Sequence, residues 1–291
     1  MLNVRSYSRP RSLEEALDTM AGGDFTPIAG GTDLIPQMRR GRPENLLDTN
    51  HLKLDFIKTD NSCIEIGACV THSTLCKDAR IERSLPLLSK ATGLVGSPQI
   101  RNRGTIAGNV VNASPSADTV PVLLNYDAEV LLRSKTGTRS VRLDEFVTGP
   151  YTTSRRPDEL VVSITCKPPK EESYCSFIKL GRREVVNISR MTLAVSLALD
   201  QNASIKDARV SAGAVFPVTR RIGEVERVLL GEVPCDRLFA EAGALAAQLM
   251  VKESGVRWST PYKRPVLAAL VEKALCQAVS VSGKPEKKRK R

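Results

Sequence analysis

The chain has 291 residues, which exceeds the usual size of one domain and favours two domains or two lobes. Hydrophobic residues make up 41% and aromatic residues 4%, so the core must be built mainly from Ala, Val, Ile and Leu. The net charge of +11 argues little for nucleic-acid binding, because the last nine residues, GKPEKKRKR, supply a net +5 of it. We predict a basic disordered tail over residues 283–291 and no nucleic-acid partner.

The sequence also indicates a cellular compartment. The first twenty residues contain no apolar run long enough for a signal-peptide core or a membrane span. Seven cysteines are scattered without a C-x-x-C pair, which is typical of reduced, partly buried thiols. His51 and His72 lack a second ligand at metal-binding spacing. We therefore expect a cytoplasmic protein without a membrane span or a metal site.

The first half of the chain is predicted to contain short elements. SLEEALDTMAGG predicts a helix in which Ser12 and Glu15 form a capping box. FTPIA predicts a strand, PIAGGTDLIPQ a turn that leads into a short helix, and residues 46–70 short strands with a turn at 60–62. A Leu-rich helix is expected near 84–95 and a strand over AEVLLRS, with a long, packed, functional loop between them.

The second half begins after a junction rich in proline and charge, residues 166–173. Three strands are predicted in SYCSFIKL, MTLAVSLALD and ARVSAGAVF, followed by helices near 234–252 and 262–280. Strands followed by helices indicate an α+β lobe. We therefore divide the chain into domains over residues 1–168 and 172–282, ahead of the tail.

Common nucleotide-binding motifs are absent from the sequence. No two glycines have the G-x-G spacing of a dinucleotide-binding fingerprint, and the G-K-[ST] of a P-loop is missing. Neither histidine lies near a G-x-S-x-G nucleophile elbow, which gives little support to a Ser-His-Asp hydrolase. We predict no catalytic acid–base residue in this chain.

Two related turns remain as candidates for a binding site. GGTDLIP and SPSADTVP each place an aspartate three residues before a proline, and we expect Asp33 and Asp118 to cap helices. Gly30 and Gly31 can turn successive N–H groups toward one point, which forms an anion site suited to phosphate. For this motif alone, a tight turn with a capping aspartate is the simpler interpretation.

The stretch RNRGTIAGN repeats the ingredients of the first turn. Gly104 and Gly108 flank a small hydroxyl residue and an alanine, while Asn109, Asn112 and Ser114 offer side-chain hydrogen bonds. Two such loops could together bind one long anionic ligand, and a ligand with a central diphosphate suits both.

Three stretches together resemble a known family. AGGTDL at 29–34, GSPQIRNRGTIAGNVVNASPSADTVPVLL at 96–124 and FIKLGRREVVNISRMTLAV at 177–195 are similar to the FAD-binding (medium) subunits of molybdenum hydroxylases, most of all to those of bacterial xanthine dehydrogenases. The resemblance covers nearly the whole chain in order. It implies an α+β chain in which a two-part FAD-binding domain of the vanillyl-alcohol-oxidase (PCMH) type precedes a smaller α+β C-terminal domain.

The resemblance also implies which residues bind FAD. It places the diphosphate on the first turn and a second FAD-binding strip on TIAGN, where Ala107 replaces a glycine found in many relatives. Asp118 matches a carboxylate that accepts hydrogen bonds from the cofactor, and Lys179 a basic position near the flavin. Val161 and Val162 match apolar positions beside the flavin. The alternative interpretation is that Val161 and Val162 are ordinary core residues and that Lys179 is a surface lysine on an edge strand. The implied set is Ala29, Gly30, Gly31, Thr32, Asp33, Thr105, Ile106, Ala107, Gly108, Asn109, Ser114, Asp118, Val161, Val162 and Lys179.

The resemblance implies an electron-transfer function within a heterotrimer. A large subunit with the molybdenum cofactor hydroxylates the substrate, and a small subunit carries electrons on two [2Fe-2S] clusters. FAD in this chain collects them for an acceptor, usually NAD+. No cysteine lies between Cys76 and Cys166, so we expect no iron–sulfur cluster in this chain. The alternatives are a carbon monoxide or nicotinate dehydrogenase-like complex, a cofactor-free scaffold subunit and a standalone flavin oxidase.

Overall fold

A computed structural model describes residues 4–38, 41, 44–60, 62–169, 173–182 and 188–280. The predicted tail, residues 283–291, lies outside them. The strands are β1 (Val4–Ser8), β2 (Phe25–Ile28), β3 (Glu44–Asp48), β4 (Ile57–Thr59), β5 (Ile64–Gly67), β6 (Glu129–Ser134), β7 (Gly137–Arg142), β8 (Val147–Gly149), β9 (Thr152–Thr153), β10 (Leu160–Cys166), β11 (Tyr174–Leu180), β12 (Met191–Leu199), β13 (Ile205–Gly213) and β14 (Arg220–Arg221). The helices are α1 (Leu13–Met20), α2 (Leu34–Met38), α3 (His72–Leu75), α4 (Ala79–Ser84), α5 (Pro86–Gly93), α6 (Pro98–Arg103), α7 (Ile106–Asn112), α8 (Thr119–Asn125), α9 (Leu143–Phe146), α10 (Gly223–Leu229), α11 (Asp236–Ser254) and α12 (Thr260–Ser280).

The first half is built around two sheets. Parallel strands form a three-stranded sheet in the order β1-β3-β2. Antiparallel strands form a five-stranded sheet in the order β4-β5-β10-β6-β7. One cluster of buried apolar side chains extends through both parts, from Ala16 on α1 to Ile164 on β10. The predicted two-part architecture of this half is confirmed.

Helix α1 follows its sequence signals closely. The Ser12 side chain accepts a hydrogen bond from the Glu15 N–H at 3.1 Å, which satisfies one of the unpaired donors of the first turn. The Glu15 carboxylate reaches the N–H of Arg11 at 2.8 Å rather than that of Ser12, so the capping box is displaced by one residue. Ala16, Leu17 and Met20 are buried on the face that packs on the core.

The segment predicted as a long loop, residues 96–127, is largely helical. It contains α6, α7 and α8, and the side chains of Ser97 and Thr105 accept from backbone N–H groups to cap the first two of these helices. Ile106 and Val110 are fully buried on one face of α7. The loop prediction was wrong because frequent Gly, Asn and Ser concealed α6 and α7, which are stabilised by capping and burial. The third helix, α8, begins directly after Asp118, where the sequence predicted a helix.

The second half is an antiparallel sheet covered by helices. Its strand order is β11-β12-β13-β14, and the three strands and two long helices predicted from the sequence are confirmed. Strand β12 is buried along nearly its whole length, because its alternate side chains enter two different cores. Ala194 belongs to the core of the first half, whereas Leu193 and Val195 pack with α11 and α12. The α+β prediction for this half is confirmed.

Helix α8 joins the two halves. Asn125, at its end, donates from Nδ2 to the carbonyl oxygens of Ala194 at 3.1 Å and Arg209 at 3.3 Å. Its Oδ1 accepts a hydrogen bond from the Ser211 hydroxyl. The Arg209 guanidinium in turn donates to the Asn125 carbonyl and to Asp127, each at 2.7 Å. The side chain and the carbonyl of one buried asparagine thus bind the strands of the second half.

Among the described residues, no helix combines the length and the apolar character needed to cross a membrane.

Candidate functional site

A cleft opens between the two parts of the first half. Its walls are formed by the end of β2 and the turn after it, by α7 and by the start of β10. Ten of the fifteen residues predicted to bind a ligand line it. They are Ala29, Gly30, Gly31, Thr32, Asp33, Thr105, Ala107, Gly108, Asn109 and Val161. The fold therefore brings the two sequence motifs to one site.

The two glycines of the first turn are required by different contacts. Gly30 lies directly against the second motif, residues 101–109, which we call the second loop. A Cβ added to Gly30 would stand 1.9 Å from the carbonyl oxygen of Arg103. Gly31 has a φ of +68°, in the left-handed region that disfavours other residues, and a Cβ there would lie 2.8 Å from Ile35 Cδ1. One glycine thus sets the approach of the loops, and the other sets the direction of the chain.

This turn presents a row of backbone donors. The N–H groups of residues 30–33 make no hydrogen bond to any other described residue, and all four residues line the cleft. The carbonyl groups beside them are engaged, since Gly31 O accepts from Ile35 N at 3.0 Å and Ala29 O accepts from Asn50 Nδ2 at 3.1 Å. Successive unpaired N–H groups in a concave wall form an anion site.

The second loop is held in place from behind. The N–H of Ile106 donates to the carbonyl oxygen of Val70 at 3.0 Å, and the N–H of His72 donates to that of Gly104, also at 3.0 Å. Thr105 pairs with Thr71 as an isolated bridge. These contacts fix the loop against the chain segment that follows β5.

Some side-chain groups of the second loop already make hydrogen bonds within the chain. Thr105 Oγ1 accepts from the N–H of Gly108 at 3.1 Å, so this predicted contact residue caps α7. Asn109 Oδ1 accepts from Thr119 Oγ1 at 2.6 Å, while its Nδ2 group makes no hydrogen bond to a described residue. The loop therefore keeps one side-chain donor for a ligand.

Neither of the two predicted aspartate caps forms. The Asp33 carboxylate makes no hydrogen bond to a described residue. Its side chain is exposed, but it stands within the cleft, and partial burial there raises its pKa. Asp118 occupies the position before α8, yet its carboxylate makes no capping hydrogen bond. The capping prediction was wrong because the partners of Asp118 come from a distant part of the chain.

Those partners form a buried cluster. Lys179 Nζ lies 2.6 Å from Asp118 Oδ2 and 2.7 Å from the carbonyl oxygen of Leu94, and Ser189 Oγ donates to Asp118 Oδ1 at 2.5 Å. Burial raises the pKa of Asp118, and the Lys179 charge opposes this effect. The Lys179 side chain is only 8% exposed, so the alternative of a surface lysine was wrong although β11 is an edge strand.

The remaining predicted residues lie behind the cleft wall. Ile106 and Val162 are buried in the core of the first half. Ser114 shares a hydrogen bond of 3.1 Å with the hydroxyl of Ser116. Like Asp118 and Lys179, these three do not line the cleft.

Two charged residues that the sequence did not single out also line the cleft: Arg155 and Glu159. Glu159 is 3% exposed, and Arg139 donates to its two carboxylate oxygens at 2.6 and 2.8 Å. This pairing lowers the pKa of Glu159. The stretch SRRPDE has the composition of a solvated loop, and only the fold shows that Arg139, twenty residues earlier, neutralises the acid.

His72, at which the sequence predicted no metal site, is part of the cleft wall. It is 2% exposed, and its Nδ1 has no hydrogen-bond partner among the described residues. Burial lowers its pKa to about 4, with a smaller contribution from the charge of Arg101. The imidazole is therefore uncharged near neutral pH.

Comparisons with known proteins agree with this geometry. A family model described as "FAD binding domain in molybdopterin dehydrogenase" matches residues 2–166, and one described as "CO dehydrogenase flavoprotein C-terminal domain" matches residues 176–278. The glyceraldehyde dehydrogenase medium chain of Sulfolobus acidocaldarius is 33% identical over 92% of this chain and 96% of its own length. The xanthine dehydrogenase FAD-binding subunit of Escherichia coli O157:H7 is 28% identical over 97% of this chain and 99% of its own length. A chain of Hydrogenophaga pseudoflava carbon monoxide dehydrogenase superposes with a TM-score of 0.89 at 27% identity, covering 96% of this chain and 99% of that one.

Proposed function

Because this chain belongs to the family of FAD-binding subunits of molybdenum hydroxylases, we propose that it carries electrons through FAD from the [2Fe-2S] clusters of a small partner subunit to NAD+. A large partner subunit with the molybdenum cofactor completes the proposed heterotrimer and hydroxylates the substrate. FAD supplies the redox chemistry when bound, and the residues of this chain hold it. One observation carries the proposal. The N–H groups of residues 30–33 have no described partner, and Gly30 brings this turn against the backbone of Arg103, which leads into the second motif.

The first loop fits a diphosphate. Ala29, Gly30, Gly31, Thr32 and Asp33 line the cleft, and the four N–H groups from Gly30 onward have no partner among the described residues. In our proposal they donate to phosphate oxygens, as an anion-binding nest does. The absence of a Cβ at Gly30 lets this turn approach the carbonyl of Arg103, and at Gly31 it permits the positive φ that directs the turn.

The second loop and the buried cluster complete the proposed site. Thr105, Ala107, Gly108 and Asn109 form the facing wall, with Ile106 anchoring them in the core and Ser114 supporting the chain beyond. Val161 offers an apolar contact surface, and Val162 supports it from the core. Lys179 and Asp118 form a buried ion pair, and Lys179 also donates to the carbonyl oxygen of Leu94. The next residue, Val95, lines the cleft, and we assign this end of the cleft to the flavin ring.

The domain boundaries and the compartment remain predictions. We propose that residues 1–168 and 172–282 are the two domains; the two separate clusters of buried side chains support this division. The cytoplasmic location is proposed from the sequence alone.

The cofactor site is tested by purifying the full chain and measuring its flavin content by visible absorption. We expect stoichiometric FAD, and Gly31→Val is expected to lose it, because valine disfavours positive φ and meets Ile35. Gly137→Val is the matched control, since a Cβ there meets no atom within 4 Å. A colourless wild-type chain that FAD cannot reconstitute contradicts the proposal.

The electron path needs the assembled complex. Substrate should reduce the flavin only when the small and large partner subunits are present, and NAD+ should restore its oxidised absorption. Flavin that is reduced without the partners, or that NAD+ leaves reduced, contradicts the proposed path.

A second substrate class is favoured by one comparison. The glyceraldehyde dehydrogenase medium chain is 33% identical to this chain over the aligned residues, against 28% for the xanthine dehydrogenase subunit. We therefore propose an aldehyde-oxidising complex as the alternative to the xanthine dehydrogenase-like complex that the sequence motifs favour. Isolating the complex through this chain and assaying glyceraldehyde against xanthine separates the two.

A further inference from the structure

Arg155 is the basic side chain of the cleft wall. Among the described residues that line the cleft, it is the one lysine or arginine, whereas Asp33 and Glu159 are acidic. It is half-buried in the loop between β9 and β10. An anionic ligand in this cleft therefore depends on Arg155 for a formal positive charge on the wall.

One nitrogen of the guanidinium is committed to its own loop. Nη1 donates to the carbonyl oxygens of Arg156 at 2.9 Å, Pro157 at 3.3 Å and Glu159 at 2.8 Å. Nε and Nη2 make no hydrogen bond to a described residue. The loop thus orients the guanidinium plane and leaves two neighbouring donor nitrogens available.

The neighbouring acids do not neutralise this charge. Both carboxylate oxygens of Glu159 are bound by Arg139, and one also accepts from the backbone N–H of Arg156 at 2.7 Å. Asp158 makes no ion pair with a described residue. Burial lowers the pKa of Arg155 while the charges of Glu159 and Asp158 oppose this shift, and an arginine remains protonated in such surroundings. Arg155 is a partly desolvated cation without a carboxylate partner.

We propose that Arg155 binds a phosphate oxygen in the ADP half of FAD through Nε and Nη2. The inference rests on the proposed function and adds a formal charge to the neutral donors of residues 30–33. FAD carries its negative charge on the diphosphate, and the unpaired carboxylate of Asp33 in the same cleft repels it. Two nitrogens of one guanidinium match the geometry of phosphate oxygens.

The test uses the full-length chain freed of flavin and titrated separately with FAD, ADP and riboflavin. Arg155→Gln is expected to weaken FAD and ADP binding by about 10- to 100-fold, the range for hydrogen bonds to a charged group, and to leave riboflavin binding unchanged. It should also flatten the salt dependence of ADP binding. Arg156→Gln is the matched control; its exposed neighbouring guanidinium lies outside the cleft wall, so all three affinities should be retained.

The outcomes separate this role from loop support. Unchanged FAD and ADP affinity in the Arg155→Gln variant, or an equal loss of riboflavin binding, overturns the proposal. Arg155 would then only stabilise the loop of residues 156–159 through its Nη1 hydrogen bonds. If that variant does not fold, Arg155→Lys decides, because a lysine cannot make the two-nitrogen contact and should bind ADP about tenfold more weakly. Equal ADP affinity in the lysine variant would overturn the proposal. A wild-type chain that binds no FAD refutes the proposed function instead.

Discussion

Both halves of the chain contain a glycine that brings two backbones into contact, but the contacts have different results. In the FAD-binding half, Gly30 brings a loop against the carbonyl of Arg103, the last residue of α6. In the C-terminal half, Gly243 brings α11 against the carbonyl of Ala268 on α12, where an added Cβ would lie 2.4 Å from that oxygen. One contact borders a cleft, and the other lies in a closed core.

The difference lies in where the backbone donors are used. Within α11 and α12 the N–H groups bond to carbonyls one turn earlier, so a close approach only packs the helices. The loop of residues 30–33 keeps its N–H groups free of described partners, so the same kind of approach leaves donors available for the anion that we propose to bind there. Close contact leaves donors open to a ligand where the backbone is irregular and stabilises a core where it is regular.

Gly30→Ala should have the largest effect, because the new Cβ would meet a backbone oxygen that cannot rotate away. We expect a loss of about 4 kcal/mol or more in the free energy of unfolding, together with loss of FAD. Thermal unfolding and flavin content measure the two effects. Gly22→Ala is the control, since no atom lies within 4 Å of its added Cβ, and equal behaviour of the two variants would contradict the close approach.

Gly243→Ala should separate packing from binding. The methyl group would push α11 from α12 at a cost of about 2 to 3 kcal/mol, the usual range for overpacking. FAD affinity of the folded protein should not change, because the cleft lies in the other half. Denaturant unfolding and FAD titration test this, with Gly223→Ala as a control that meets no atom within 4 Å. A fall in FAD affinity would show that the halves are not independent in this respect.

Asn125→Ala tests the junction between the halves. The substitution removes the donor to the carbonyls of Ala194 and Arg209 and the acceptor of the Ser211 hydroxyl. We expect a loss of about 2 kcal/mol, because buried polar groups are left unpaired. Denaturant unfolding followed by probes in each half should show weaker coupling. Asn202→Ala, at an exposed turn, should leave stability and coupling unaltered.

The smallest expected effect concerns pH. The pKa of His72 is lowered to about 4 in the folded chain, so the unfolded chain binds the proton more readily and stability falls with pH below the unfolded pKa of roughly 6.5. His72 should contribute a loss of about 1 kcal/mol between about pH 7 and about pH 5.5. Denaturant unfolding at both pH values measures it. In a His72→Leu variant this part of the pH dependence should vanish, and a full remaining slope would assign it to other groups.

Local signals predicted much of the fold. Ser12 and the apolar stripe of α1 are adjacent in sequence, and β11, β12 and β13 fall on the three stretches that the sequence predicted as strands. The helices at 98–112 were missed because capping and tertiary burial stabilise them against weak local propensity.

The sequence identified the part of the cleft wall whose arrangement is local. The turn of residues 29–33 forms its donor row within five consecutive residues, whereas Asp118 and Lys179 meet across 61 positions and Arg139 and Glu159 across 20. An aspartate before a helix has two possible uses, and only the packing of β11 beside α5, which brings Lys179 to Asp118, selects the ion pair over the cap. Arg155 was missed for the same reason, since its charge matters only after Glu159 is bound elsewhere.

The junction at Asn125 also bears on how such chains can be recombined. Two of the three contacts of its amide are to main-chain carbonyls, which every sequence possesses, and the third is to a serine hydroxyl. The amide therefore recognises the spacing of β12 and β13 more than the identity of their side chains. A chimera that takes its C-terminal half from a relative should keep this junction if the strand register and the hydroxyl at Ser211 are preserved.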